Sequence, residues 1–207
     1  MYHIYGDLIS GNCYKLKLLL ELTGQDYEWQ HTDILAGEAR TEEFLLMNAN
    51  AKVPVLKIVD GDNPPQYLAE SNAILNYLAE GTPYLPEDRY LRAQVLQWQF
   101  FEQYSHEPYI AVARYINKYL GLPEARIAEY HAKQEGGHKA LSVMEEHLQG
   151  RNFFVGEAGN ESATIADISL YAYTHVSHEG GFMLESYPRI VEWLRRVEAL
   201  PGFAPMV

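Results

Sequence analysis

The stretch SGNCYKLKLLLEL, residues 10–22, decides the fold that this sequence predicts. It passes from a short polar loop into a segment whose apolar residues recur at helical spacing. The preceding residues 2–6, YHIYG, alternate in character and are rich in strand-forming types. A strand, a loop and the amino end of a helix therefore follow one another. Such a junction gathers unpaired backbone N–H groups at the positive end of a helix dipole, so it suits an anion, an oxyanion or a thiolate.

The first eighty residues alternate short strands with short helices. The patterns predict a helix over 13–23 that ends at Gly24, a strand over 27–34, a short helix after Thr41, strands over 55–59 and 66–69, and a helix over 71–80. The order β-α-β-α-β-β-α contains one parallel crossover and one antiparallel hairpin. We therefore expect a small mixed sheet of four strands.

The second part of the chain is predicted to be entirely helical. Residues 81–88, GTPYLPED, indicate a linker, because two prolines cannot lie inside a helix or a central strand. Residues 89–207 follow with apolar side chains at helical spacing. A last helix is expected from Pro188, a favoured first helical residue, to about Pro201.

Three features mark where the predicted helices start or break. Pro108 is expected to kink or break the first long helix, and Gly136-Gly137 to interrupt or loosen the second. Thr164 and Asp167 have the spacing of a capping box, in which each side chain bonds the other's backbone at a helix start. We expect structural roles for Thr164 and Asp167, and a loss of stability in the Asp167→Ala variant.

Composition limits the classes of function. The net charge of −12 argues against nucleic acid, whose phosphates need clustered Lys and Arg. No segment approaches the roughly 18 apolar residues of a membrane span, and no leader segment is expected, so we expect a cytoplasmic protein without membrane contact. A single cysteine excludes an internal disulfide, and no metal site is predicted.

Five pieces, in this order and spacing, resemble the cytosolic glutathione S-transferases over essentially the whole chain. They are residues 10–22, NANAKVP at 48–54, ESNAILNYL at 70–78, the linker, and the capping box at 164–167. The chain is most similar to bacterial members with a theta-like catalytic serine. The resemblance implies an α+β fold: a thioredoxin-like, glutathione-binding domain over 1–80, the linker 81–88, and an all-α bundle over 89–207 that contributes the electrophile site.

The resemblance also implies how glutathione is held. Glu70 would take the γ-glutamyl ammonium, while the Ser71 hydroxyl and the helix N–H groups would take its carboxylate. The bond between Val53 and Pro54 would be cis, and the backbone of Val53 would pair with the cysteinyl main chain. Lys52, and more weakly Arg40, would meet the glycyl carboxylate. The alternative at the first pair is that Ser71 caps a helix and Glu70 is a solvated charge.

Ser10 is the residue that we expect to donate a hydrogen bond to the glutathione thiolate, with Asn12 beside it. The alternative is that Ser10 and Asn12 are only turn residues. Tyr5 stays open as another donor, because other branches of the family place a catalytic tyrosine on the first strand. Cys13 lacks the second cysteine of a redox pair and lies beside an apolar face, which favours a packed thiol over a reactive one.

The second substrate is expected against the aromatic stretch of the first long helix, at Tyr104 and Arg114, although such a stretch is more often core. The leading function is conjugation of glutathione to a hydrophobic electrophile, or reduction of a hydroperoxide. A glutathione-dependent disulfide reductase and a non-catalytic interaction protein are the alternatives. We expect glutathione as a co-substrate, no tightly bound cofactor and, by analogy with the family, a homodimer. The sequence does not identify the electrophile.

Overall fold

The computed structural model of the chain describes residues 1–206, which divide into two units. The first unit contains Met1–Thr82 and the residues from Pro201 to the end of the described chain, and the helical unit contains Pro83–Leu200. The sequence placed the last residues with the helices, in the domain 89–207. They belong to the first unit instead, where the Tyr14 hydroxyl donates to the Ala204 carbonyl at 2.8 Å.

The sheet of the first unit is mixed, as predicted. Its strands are β1 (Tyr2–Gly6), β2 (Tyr27–His31), β3 (Val55–Ile58) and β4 (Gln66–Ala69), in the spatial order β2-β1-β3-β4. Strand β1 is parallel to β2 and antiparallel to β3, and β3 is antiparallel to β4. Strand β2 ends three residues before the predicted 34, because the Asp33 carboxylate accepts the N–H groups of Leu35 and Ala36 and starts a turn.

Three helices complete the first unit: α1 (Gly11–Thr23), α2 (Glu42–Met47) and α3 (Ser71–Leu78). Helix α1 ends at Gly24, whose φ of 63° places it in the left-handed conformation that glycine tolerates at a helix end. Thr41 caps α2 by accepting from the N–H of Phe44, which agrees with the short helix predicted after Thr41. Each helix follows a loop or strand end, which places the starts of α1 and α3 at polar segments.

The helical unit contains five α-helices in the described residues: α4 (Arg89–Phe101), α5 (Glu107–Arg114), α6 (Ile127–His147), α7 (Ile165–Thr174) and α8 (Pro188–Glu198). Between α4 and α5 the helix widens into a π turn at Glu102–His106, so the chain stays helical past Pro108 and is irregular, not broken, where a kink or break was expected. Proline has no N–H for the carbonyl four residues earlier, which explains the irregular hydrogen bonding. No helix of residues 1–206 combines the length and apolar character that crossing a membrane requires.

The expected interruption at Gly136-Gly137 is wrong, because α6 runs unbroken from Ile127 to His147. These glycines serve close packing. A Cβ atom on Gly136 would overlap the ring of Tyr109, and one on Gly137 would overlap the ring of Phe182. Two aromatic rings thus lie directly against the backbone of this helix, and tertiary contact offsets the weak helix propensity of glycine.

We expect Gly137→Ala to destabilise the helical unit by about 1–3 kcal/mol, the usual cost of overpacking. Phe182 is completely buried and cannot move aside, whereas the partly buried Tyr109 can yield to a methyl group on Gly136. Gly136→Ala is the matched control, since both variants gain the same helix propensity. Urea unfolding followed by circular dichroism measures the difference; equal midpoints for the two variants would contradict this account of the packing.

Candidate active site

The loop between β1 and α1 is fixed by a buried carboxylate that the sequence analysis missed. The two oxygens of Asp7 accept the N–H groups of Ile9 at 3.1 Å and Ile34 at 3.0 Å, and its carbonyl accepts the N–H of Ser10 at 3.1 Å. These bonds tie the loop both to itself and to the segment after β2. A signal was present, since aspartate in a polar loop commonly bonds the backbone two residues onward.

Ser10 is the N-cap of α1, and its Oγ accepts the N–H of Cys13 at 3.4 Å. Its side chain is half-buried. A hydroxyl that accepts one bond still has its own proton to donate. Ser10 is thus a helix cap rather than only the turn residue weighed in the sequence analysis, and capping is compatible with donation to a ligand at the same helix terminus.

Cys13 is a packed thiol, as the sequence favoured. Its side chain is completely buried. Burial raises the pKa of the Cys13 thiol to about 12, although the hydroxyl of Ser10 and the charge of Lys15 act in the opposite direction. Because the thiolate is the reactive form, this cysteine is chemically inert at neutral pH.

We expect native protein to leave Cys13 unmodified by a thiol-specific disulfide reagent near neutral pH, and to react fully once it is unfolded in denaturant. The Cys13→Ala variant should retain at least half of the wild-type activity, because a buried, protonated thiol is not a nucleophile. Colour release in the two conditions measures the accessible thiol. Rapid labelling of the native protein accompanied by loss of activity would contradict the assignment.

The starts of α1 and α3 meet through three side chains. Oδ1 of Asn12 accepts from Nζ of Lys15 at 2.7 Å and from Oγ of Ser71 at 3.1 Å, while Lys15 also lies 3.4 Å from Ser71 Oγ. Lys15 is 0 % exposed. The sequence analysis did not single out this lysine. The available signal was its position on the apolar face of α1, one turn before Leu18 and Leu19.

Glu70 and Ser71 form the start of α3, but Ser71 is not a capping residue. The N-cap position belongs to Glu70, whose side chain makes no capping hydrogen bond. Glu70 is exposed, and its backbone has φ 69° and ψ 111°, an outlying conformation for a non-glycine residue that costs about 1–3 kcal/mol. Strained residues of this kind cluster at functional sites.

The segment before β3 has the features that the resemblance implied. The Val53–Pro54 bond is cis, which confirms that expectation. Val53 packs against an apolar cluster formed by Ala39, Phe44 and Val55. Next to it, Lys52 is exposed, and its carbonyl accepts from the Asn48 side chain at 2.8 Å. This hydrogen bond anchors the loop that carries Lys52.

Two other candidate residues of the first unit differ in their surroundings. Arg40 is exposed at the end of a single 3₁₀ turn, Glu38–Arg40, just before α2. Tyr5 lies on β1, with its ring packed against the cluster of Ala39, Phe44 and Val55. The packing of Tyr5 favours Ser10 as the thiolate donor.

The two candidates for the electrophile site have opposite environments in the helical unit. Tyr104 is 80 % exposed on the π turn. Arg114 is 4 % exposed, and its guanidinium donates to Glu179 and, at 2.8 Å, to the Tyr119 hydroxyl. Partial burial alone would raise the pKa of Glu179, but hydrogen bonds from Lys118 and Arg114 hold it below its ordinary value. These contacts hold Arg114 inside the helical unit, and its predicted contact with a substrate stays a prediction.

Comparison with known families agrees with this geometry. The model of the glutathione S-transferase N-terminal domain matches residues 2–80, and that of the C-terminal domain matches residues 106–205. The chain belongs to the glutathione S-transferase family. The expected fold, a thioredoxin-like domain with a mixed four-stranded sheet followed by a helical domain, is thereby confirmed.

Three relatives illustrate the range of the similarity. A crystal structure of a glutathione S-transferase from Pseudomonas fluorescens Pf-5 is 56 % identical, with a TM-score of 0.93 over 100 % of this chain and 98 % of that one. Another Pf-5 family member, solved with two glutathione bound, is 26 % identical, with a TM-score of 0.83 over 97 % and 89 %. The disulfide-bond oxidoreductase YfcG of Escherichia coli K12 is 28 % identical over 92 % and 87 %.

Proposed function

We propose that this glutathione transferase holds glutathione in its first unit, ionises the thiol, and adds the sulfur to an electrophilic carbon or uses it to reduce a hydroperoxide. One observation carries the proposal: the 3.1 Å hydrogen bond from Ser71 to Asn12. This bond joins the start of α1, which suits a thiolate, to the start of α3, which suits a carboxylate. One small ligand that carries both groups can therefore span the two.

The proposed binding roles follow from charge and position. The exposed carboxylate of Glu70 would take the γ-glutamyl ammonium, and the amino terminus of α3 together with Ser71 would take the neighbouring carboxylate. The strained backbone of Glu70 supports a ligand-binding role at this point. The Ser71 hydroxyl donates to Asn12 in this structure. On ligand binding it would donate to the ligand carboxylate instead, because a hydroxyl has one proton.

The rest of the tripeptide would extend toward β3. The backbone of Val53, immediately before this strand, would pair with the cysteinyl main chain as an added strand does. Lys52 and Arg40 are exposed cations that suit the glycyl carboxylate. They also supply local positive charge in a chain of net charge −12, which would otherwise repel an anionic ligand.

The second substrate is proposed to be a hydrophobic electrophile. Tyr104, with its exposed ring, is the more accessible of the two residues of the helical unit predicted for this contact. An aromatic ring offers apolar area and a hydroxyl donor at its tip. Detoxification of reactive small molecules would be the physiological use of such a reaction.

Disulfide reduction is the second candidate function. The Ser10 and Asn12 arrangement allows it without a catalytic cysteine: Cys13 is buried and its pKa is raised, so glutathione itself would supply the attacking sulfur. The relative from E. coli that is named as a disulfide-bond oxidoreductase agrees with this candidate. A non-catalytic role is less favoured, because the chain keeps Glu70, Ser71, Val53 and Pro54.

We also propose a cytoplasmic homodimer. In the first unit, the edge strand β4 has an exposed Tyr67. In the helical unit, Leu96 and Phe100 are exposed one turn apart on α4. Apolar side chains that stay exposed in one copy are available to pack against a second copy. Sedimentation equilibrium tests the proposal, with a mass of twice 23.7 kDa expected for a dimer and the single-chain mass contradicting it.

Calorimetric titration with glutathione and with the dipeptide cysteinylglycine tests the proposed function. Cysteinylglycine keeps the thiol but lacks the γ-glutamyl group that Glu70 and α3 would hold. Saturable binding of glutathione, with at least tenfold weaker binding of the dipeptide, is the expected result. Equal affinities would contradict the proposed γ-glutamyl site. Absence of glutathione binding at millimolar concentration would overturn the proposed function.

A further inference from the structure

A fully buried lysine lies at the centre of the proposed site. The ammonium of Lys15 is 2.7 Å from Oδ1 of Asn12 and 3.4 Å from Oγ of Ser71, and the whole residue is 0 % exposed. Lysine is almost never fully buried without compensating partners, because removing an ammonium from water is costly. This cost makes Lys15 an unusual choice at a position where the apolar face of α1 would accept leucine or methionine.

We propose that Lys15 is a positioning residue of the glutathione site: it fixes the carboxamide of Asn12 and keeps that side chain joined to Ser71. The proposal rests on the proposed function, and deepens it by assigning a residue that acts on the thiolate through Asn12.

The chemistry of the two groups sets the orientation of Asn12. An ammonium has three donors and no acceptor, so it bonds the oxygen of a carboxamide and never the NH₂ group. Lys15 therefore fixes the orientation of the Asn12 carboxamide: Oδ1 faces the ammonium, and the amide nitrogen lies on the other side of the group. A cation on the carbonyl oxygen also polarises the amide, which makes its N–H groups stronger donors.

The hydrogen bond from Ser71 could not by itself hold Asn12 in place once a ligand binds. Its hydroxyl has one proton, which goes to Oδ1 of Asn12 in this structure. When the Ser71 hydroxyl donates to a ligand carboxylate instead, its hydrogen bond to Asn12 is lost. Lys15 still donates to Asn12 and can still donate to the oxygen of Ser71. The lysine thus keeps both side chains in place while the ligand binds.

The charge of Lys15 also acts directly at the amino end of α1. It favours the thiolate form of Cys13, although burial outweighs this effect at that sulfur. A ligand sulfur held at the same helix terminus, and less deeply buried, would feel the same charge without the full cost of burial. Lys15 is thereby expected to favour the thiolate over the thiol of bound glutathione.

Three variants test the proposal: Lys15→Met, Lys15→Arg, and Lys17→Met as a control on the same helix. The measurement is the ultraviolet thiolate absorbance of bound glutathione against pH, together with the affinity for S-methylglutathione, which has no thiol. We expect Lys15→Met to raise the pKa of the bound thiol by about one unit, which lowers the thiolate fraction about tenfold at pH values well below that pKa. Lys15→Arg should restore most of the signal, and Lys17→Met should match the wild type.

A second comparison separates positioning from a merely structural role. In an Asn12→Ala background, Lys15→Met should change the thiolate titration by less than half as much, because the lysine then has no carboxamide to orient. Circular dichroism checks folding, and Lys15→Gln replaces the methionine variant if the latter does not fold. If Lys15→Met, or Lys15→Gln in its place, is folded and titrates like the wild type, the proposed role of Lys15 is wrong. The proposed function still holds in that case, provided that the wild type binds glutathione. Absence of glutathione binding by the wild type would overturn both.

Discussion

The Asp167→Ala protein is expected to lose about 3–5 kcal/mol of unfolding free energy from its helical unit, the largest stability effect that we predict. Oδ1 accepts from the N–H of Phe154 at 3.1 Å and from the indole N–H of Trp193 at 3.0 Å. Oδ2 accepts from the N–H of Thr164 at 2.9 Å and from its hydroxyl at 3.2 Å. All of these bonds are buried, so alanine would leave several donors without an acceptor, at about 1–3 kcal/mol each.

The matched control for this variant is Asp88→Ala. Asp88 caps α4 by accepting the N–H groups of Tyr90 and Leu91 at 2.9 Å, but it does so at the surface. Water can replace an exposed cap, so the control should lose only about 1 kcal/mol. Denaturant unfolding of both variants measures the difference. Equal losses, or a normal stability of Asp167→Ala, would show that the buried network contributes nothing. The folded fraction of Asp167→Ala should retain the activity of the wild type.

Ser10→Ala is expected to lower kcat/KM for conjugation about 10- to 100-fold near neutral pH. A free thiol with a pKa near 8.5 is only about 3 % ionised at pH 7. One hydrogen bond to a charged acceptor contributes about 1.5–3 kcal/mol, which corresponds to a fall in pKa of about one to two units. Removing the Ser10 hydroxyl would return the thiol toward its free value.

The pH profile distinguishes this role from simple loss of the α1 cap. As pH rises through the pKa of the free thiol, glutathione ionises without help, and the rates of Ser10→Ala and wild type should converge. Ser10→Thr retains a hydroxyl and should recover most of the activity. Binding of S-methylglutathione should stay within twofold of the wild type. A constant deficit at every pH would assign the loss to misfolding of the helix start instead.

Local patterns made much of the fold predictable. The capping box of Thr164 and Asp167 could be found because both residues lie within one helical turn, and the same holds for the start of α2 after Thr41. The bonds from Phe154 and Trp193 to Asp167 could not be found in this way, since their sequence separations are 13 and 26 residues. The size of the stability effect therefore comes from tertiary structure.

Tertiary contacts also explain what the sequence did not predict. Gly136-Gly137 has the composition of a helix break, yet rings from Tyr109 and Phe182 fill the space beside it. Arg114 pairs with Glu179, which is 65 residues away and which the sequence analysis did not identify as its partner. In each case a distant part of the chain decides what a residue touches.

The candidate site was predictable in part. Glu70 and Val53–Pro54 were assigned from resemblance, and their predicted binding roles await experiment. Lys15 escaped notice because a lysine within an amphipathic helix is normally solvated. Its burial against Asn12 and Ser71 depends on the meeting of α1 and α3, which no local pattern encodes.

The central claim is that this protein binds glutathione and stabilises its thiolate through Ser10. Calorimetric titration of wild type and Ser10→Ala with glutathione, alongside the ultraviolet thiolate absorbance of the bound ligand near neutral pH, tests it most directly. We predict that both proteins bind and that the thiolate signal of the wild type disappears in Ser10→Ala. A wild type that binds no glutathione at millimolar concentration, or an equal thiolate signal in both proteins, would contradict the claim.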